Sequence, residues 1–150
     1  MQQLQFQLGL AQLDFQTEQQ NIHFDHGLAA LVQKCVRHQR FDALAIEYLI
    51  YEIEEILERL QLDYQTQRYA QSNDAMLHIL AQTFFEHATR IERQSLEHGF
   101  NEMIEHTEYY QNLFGEQAII QLSYFVFIRE MMHHLNIQHI HVLAQKASSP

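Results

Sequence analysis

The chain has 150 residues, 47% of them hydrophobic, which fits one domain (1–150) and suffices to bury a core. Its net charge of −10, with histidines neutral, excludes DNA, RNA and anionic membrane surfaces as expected partners, because their phosphates would be repelled. Cys35 is the lone cysteine, so no internal disulfide can form. The most apolar run, Ala118 to Ile128, is interrupted by Gln121 and Ser123 and is too short to span a membrane. The first basic residue is Lys34, so no secretory leader with a charged start is expected, and the expected setting is cytoplasmic.

Residues 1–16 alternate Leu4, Phe6, Leu8 and Leu10 with glutamines and Gly9, a period of two that suits a strand or an extended arm. With no second convincing strand to pair with, the reading is an arm lying over the rest of the chain. Thr17 and Gln20 form a capping-box pattern, which predicts a first helix from there to about His38, with Phe24, Leu28, Leu31, Val32 and Cys35 inward. A second helix is predicted from Asp42 to Leu60 on the stripe Ile46, Leu49, Ile53, Ile56, Leu57 and Leu60. Glu47, Glu54, Glu55 and Glu58 lie on its other side, where a solvated acidic face is the plain reading and a cation site the sharper one. Ser72, Asn73 and Asp74 offer N-caps for a third helix carrying Leu77, Leu80, Phe84, Ala88 and Ile91 inward, broken or kinked at Gly99. A fourth helix runs from Phe100 to Gly115, and a fifth from Glu116 to Leu135, apolar nearly all round. A short segment from Ile137 to Leu143 and a polar tail, 144–150, follow. Four glycines and one terminal proline complete the expectation of an all-α, up-and-down four-helix bundle with an additional helix and an extended N-terminal arm.

Eleven histidines direct attention to metal chemistry, since imidazole nitrogens bind transition metals and bundles build such sites from facing helices. His87 lies at the edge of the third apolar stripe, and His106 lies beside Met103 and Tyr110. His134 closes the last long helix and His139 follows it. Glu130 with His133 makes one E-x-x-H pair, without the second that a ferritin-like site needs. His98, Glu102 and His106 recur every four residues. No nucleophile elbow, phosphate loop, dinucleotide fingerprint or zinc-type cysteine pair is present.

From His87 through Glu92, the pair Gly99–Phe100, His106 and Tyr110 to His134 and His139, the chain resembles the hemerythrin-like family of helical bundles over about residues 77–143. That family's second and third helices read H-F-x-x-E-E, a glycine-aromatic pair, then H-x-x-x-H. In this chain Ile91 stands at the bridging glutamate and Tyr110 at the second histidine, so a two-iron centre is not implied. The resemblance implies a site built from His87, His106, His134 and His139 with Tyr110 beside it, holding non-haem iron or another transition metal, or a bundle that has lost its metal. Two functions follow. One is a carrier or sensor of oxygen, metal or redox state. The other is a metal-free adaptor that binds a protein partner, or a second copy of itself, through the apolar last helix or the acidic second helix.

Overall fold

The computed structural model describes residues 1–145. Its centre is the segment read above as an arm. Gln2–Leu8 is a strand, β1, with Leu4, Phe6 and Leu8 buried on one face and Gln5 and Gln7 exposed on the other. On one side β1 pairs antiparallel with β2 (Leu13–Gln16), which pairs antiparallel with β3 (Asn21–Phe24). On the other side it pairs in parallel with β4 (Arg68–Ser72), and β4 pairs in parallel with β6 (Ile137–Val142). The short β5 (Arg90–Glu92) closes that edge antiparallel to β6, giving a six-stranded mixed sheet in the order β3-β2-β1-β4-β6-β5. The fold is therefore α/β. The all-α bundle and the free arm are both overturned by this sheet.

Thr17 does not cap a helix. Its hydroxyl accepts from the amides of Gln19 and Gln20 and its own amide donates to Gln20, which makes the tight turn between β2 and β3. The first helix, α1, is consequently short (Leu28–Cys35). The second, α2 (Ala43–Arg59), lies where its periodicity puts it, and Asp42 caps it by accepting from the Ala45 amide. The predicted third helix is three elements: α3 (Ala75–Phe84), β5, and α4 (Arg93–Glu105). Glu86 and His87 sit at φ 52° and 60°, the left-handed conformation that ends α3 without a glycine or proline. Gly99 does not break α4. A Cβ there would meet the Phe85 ring at 2.8 Å, so the glycine lets that ring pack directly on the helix backbone. A short helix, α5 (Thr107–Phe114), ends at Gly115 with φ 58° and leads through one 3-10 turn into α6 (Ala118–His134). The segment after α6 is β6, a strand rather than part of the helical layer, and residues 146–150 of the expected polar tail lie outside the described residues.

The core lies between the apolar face of the sheet and the helices. α6 is buried along nearly its whole length and touches each of the other five helices. Phe127 stacks on Phe15 of β2, while Phe125 packs among Phe84, Phe85 and Phe100. A helix apolar on all sides is thus at the centre of the domain, which removes the surface that the adaptor reading required of it. Buried Arg68 fixes the start of β4, with Nε donating to Gln2 and Nη1 to the carbonyls of Asp63, Thr66 and Leu135. Cys35 is a free, buried thiol on α1, and burial pushes it up to about 11.

Candidate functional site

In open α/β sheets, ligands bind beyond the carboxyl ends of the strands, where the strand order reverses. Here that point is between β1 and β4: the chain leaves β1 toward β2 and leaves β4 toward β6. Asp74 reaches into it. Asp74, at the head of α3, has its Oδ2 atom accepting from the Leu8 amide (3.0 Å) and from the Tyr124 hydroxyl of α6 (2.8 Å). Its own amide donates to the Ser72 hydroxyl (3.0 Å), which fixes the turn out of β4. Burial holds the Asp74 carboxyl above the usual carboxylate range, and the donors Leu8, Tyr124 and Ser72 offset that only in part. Tyr124, wholly buried beside that carboxyl, is pushed well above the ordinary phenol value.

The neighbouring β1–β2 turn is tightly built. Gly9 donates to the Gln12 carbonyl at 2.9 Å, and α1 starts directly on top of it. A Cβ at Gly27 would lie 2.3 Å from the Gly9 carbonyl oxygen, so only glycine permits the approach. Leu28 and Ala29, the first two residues of α1, spend their amides on the carbonyls of Gly9 and Leu10. Those two donors are not free for an anion. An open cleft of about 560 Å³ adjoins this edge, lined by Gln7, Asp14, His23, Asn21, Ser72 and Asn73. His23 bridges Asp14 (2.7 Å) and Asp25 (3.0 Å), and the Asp14 hydrogen bond raises it above the ordinary imidazole value. No lysine or arginine is among the residues that line this cleft.

The residues predicted as a metal site are dispersed. His87 is exposed in the turn between α3 and β5, its amide donating to Ala81. His106 is exposed at the junction of α4 and α5, 3.8 Å from Glu102. His134 is at the end of α6, 3.4 Å from Glu54 of α2. His139 is buried in β6 by stacking with Tyr69 at 5.6 Å, and burial first, then Arg90 and His141, lower its pKa. Tyr110 is buried against Phe84 and donates to Glu102 (3.3 Å), lining a hollow of about 530 Å³ with Phe85, Arg90 and Gly99. Among the described residues these side chains sit on separate elements, because the bundle that would converge them is not formed. Two groupings among the described residues can hold a cation: Glu54, Glu130 and His134, and the exposed Glu102, Glu105 and His106. Glu130 was noticed in sequence beside His133, but the structure turns it to His134. Asp74 was legible only as a cap, and Tyr124 only as one more apolar-stripe residue.

No protein-family model matches the sequence, and no curated protein matches it. Solved structures do. The type II Ppx/GppA phosphatase of Aquifex aeolicus matches with a TM-score of 0.70 at 9% identity, over 96% of this chain and 53% of that one. An exopolyphosphatase from Cytophaga hutchinsonii matches with a TM-score of 0.70 at 13% identity, over 95% of this chain and 53% of its own. An exopolyphosphatase-like protein matches with a TM-score of 0.71 at 9% identity, over 96% and 55%. At such identity the likeness shows the fold. The chain spans about half the length of these proteins. The fold is Ppx/GppA-like, which overturns the hemerythrin-like resemblance and, with it, the oxygen-carrier reading; nothing in these likenesses supports the adaptor reading. Among the described residues no helix is long and apolar enough to cross a membrane.

Proposed function

We propose that this chain is one lobe of a phosphatase-like unit that hydrolyses phosphoester or phosphoanhydride bonds, polyphosphate being the substrate class that the similar structures' names suggest. The observation that carries it is the Asp74 carboxyl at the point of strand-order reversal, half-buried and held above its ordinary range. In this reading Asp74, as carboxylate, takes the proton of a water whose oxygen attacks phosphorus. The P–O bond to the leaving phosphate breaks, and that oxygen is protonated from solvent. Tyr124 orients the carboxyl and does not itself react. Because no lysine or arginine lines this cleft, the positive charge that holds the phosphate comes from a second lobe, supplied by a protein partner or a second copy of this chain. A cytoplasmic setting belongs to the same proposal and agrees with the free thiol of Cys35.

The test is release of inorganic phosphate from polyphosphate by the full chain, with and without added divalent cation, at concentrations where sedimentation gives its oligomeric state. Asp74→Asn should lower kcat by roughly a hundredfold or more with little change in KM. Loss of the reaction in every condition, or full activity in Asp74→Asn, overturns the reading. A specific observation favours a second one, a catalytically silent lobe of the same fold: the α1 amides nearest the edge are already committed to Gly9 and Leu10. That reading predicts no phosphate release and unaltered stability when polyphosphate is added.

A further inference from the structure

The end of α6 holds a second arrangement, remote in sequence from the strand edge. Glu130 and His134 are one helical turn apart on α6, and Glu54 faces them from α2. One donor atom from each lies within 4.8 Å of the others. The Nε2 atom of His134 is 3.4 Å from Glu54 Oε1 and 3.8 Å from Glu130 Oε1. Metal–ligand bonds of about 2.0–2.2 Å place adjacent tetrahedral donors roughly 3.4 Å apart, so these spacings suit a shared ion.

The state of Glu130 is an independent sign. Its side chain is only 5% exposed. Oε2 accepts from Arg129 Nη1 at 2.8 Å, while Oε1 takes no hydrogen bond among the described residues and is aimed at His134. A carboxylate in a side chain this buried, with one oxygen accepting no hydrogen bond among the described residues, gains from a second positive charge beside that oxygen. The surroundings fit an ion too. Arg129 is held by Glu97, which also accepts from His133, so the guanidinium that fixes Glu130 is itself fixed. An open cleft of about 390 Å³, lined by Leu57, Glu58, Tyr64, His133 and His134, gives entry.

We propose that Glu54, Glu130 and His134 bind one divalent transition-metal ion of the zinc class, with Arg129 positioning the Glu130 carboxylate. Imidazole with two carboxylates is a nitrogen-oxygen set that suits zinc above calcium or magnesium, and three protein ligands leave a coordination position for water. The site goes beyond the phosphatase reading and stands without it.

Equilibrium dialysis of the full chain against Zn²⁺ alone, followed by elemental analysis, tests it. One tightly held ion per chain is expected. Glu54→Gln and His134→Gln should each weaken binding by on the order of tenfold to a hundredfold, and Arg129→Gln by about tenfold with the site still formed. Glu130→Gln should abolish binding. Because that variant can disturb the helix junction, the two partly exposed ligands, checked by circular dichroism, carry the result. His106→Gln, in the exposed grouping, should change nothing. Substitution with Co²⁺ should give a visible absorption that His134→Gln removes. Absence of a retained ion, wild-type affinity in both Glu54→Gln and His134→Gln, or loss with His106→Gln instead, overturns the site.

Discussion

Two carboxyl groups are anchored to opposite ends of α6, and their environments push them in opposite directions. Asp74 meets Tyr124 near the start of the helix and is surrounded by neutral donors. Glu97 meets Arg129 near its end, and the hydrogen bonds of His133 and Arg129 outweigh burial and hold it below the usual carboxylate range. Both lose water, yet only the one with a cation gives up its proton more readily than an ordinary carboxyl. At Asp74 the hydrogen bonds from uncharged groups offset the desolvation only in part, whereas at Glu97 those of the guanidinium and imidazole outweigh it. The molecule thus keeps an ion-paired carboxylate at one end and, at the other, a carboxyl that holds its proton more tightly than usual.

Removing the cation is the hardest test of that contrast. Arg129→Met leaves the Glu130 carboxylate buried and unpaired, and should cost about 3 kcal/mol, the low end for a broken buried pair because the arginine is partly exposed. Urea denaturation measures it; a loss under about 1 kcal/mol would place both carboxyls in the same class. The stability that Glu97 contributes is present above its ordinary 4.5 and is lost as pH falls through its lower folded value, so the variant should also flatten that acid limb.

A smaller effect is expected at the other end. Tyr124→Phe removes one donor from Asp74 and should cost about 1–2 kcal/mol, with the Asp74 carboxyl rising further, visible by NMR titration. Asp74→Asn should go the other way. Above its ordinary 3.8, the unfolded chain has lost this proton while the folded chain still keeps it, so wild-type stability falls as pH rises through that window. The variant should therefore equal or exceed the wild type at pH 7, by less than about 1 kcal/mol, and lose that advantage below the window. Thermal melts across pH 3–8 decide it; a large loss at pH 7 would make Asp74 a structural anion like Glu97. The smallest change is at His139. Its lowered pKa keeps it neutral in the folded state while the unfolded chain protonates, so acidification just below 6.5 costs stability. His139→Gln should remove that part of the pH slope, a few tenths of a kcal/mol by the same melts.

What the sequence revealed follows how local each signal is. α2 and α6 are found to within a few residues because their apolar periods are long and their ends are marked by Asp42 and Gly115. The period of two in β1 is equally plain, but its partner β4 reads Arg-Tyr-Ala-Gln-Ser, with no alternation of apolar residues to announce a strand. The end of α3 carries no breaker, since Glu86 and His87 take up the left-handed conformation without one. Gly99 misled in the opposite sense: its lack of a side chain serves the packing of Phe85 and not a break. The same distance hides the sites. Asp74 is joined to Leu8 across 66 residues and to Tyr124 across 50, and nothing near any of them in sequence indicates the meeting. The histidines, conspicuous in sequence, are mostly surface residues, and Glu130 of the second candidate site was paired in sequence with His133 where the structure puts it beside His134.

The parallel junctions at the middle of the sheet have a kinetic consequence. The β2–β3 hairpin can close in microseconds from local contacts alone. Pairing β1 with β4 requires closing a loop of 66 residues, and seating Arg68 of β4 on the Leu135 carbonyl requires another of 67. Neither closure is rewarded until α6 has buried its aromatic side chains against the sheet. The rate-limiting step of folding should thus be assembly of the central strands around α6, slow for a chain this rich in helix, with a transition state that has already buried most of its apolar area. Until it is passed, β1 presents an unpaired edge of alternating leucine and phenylalanine, the segment most exposed to pairing with another copy.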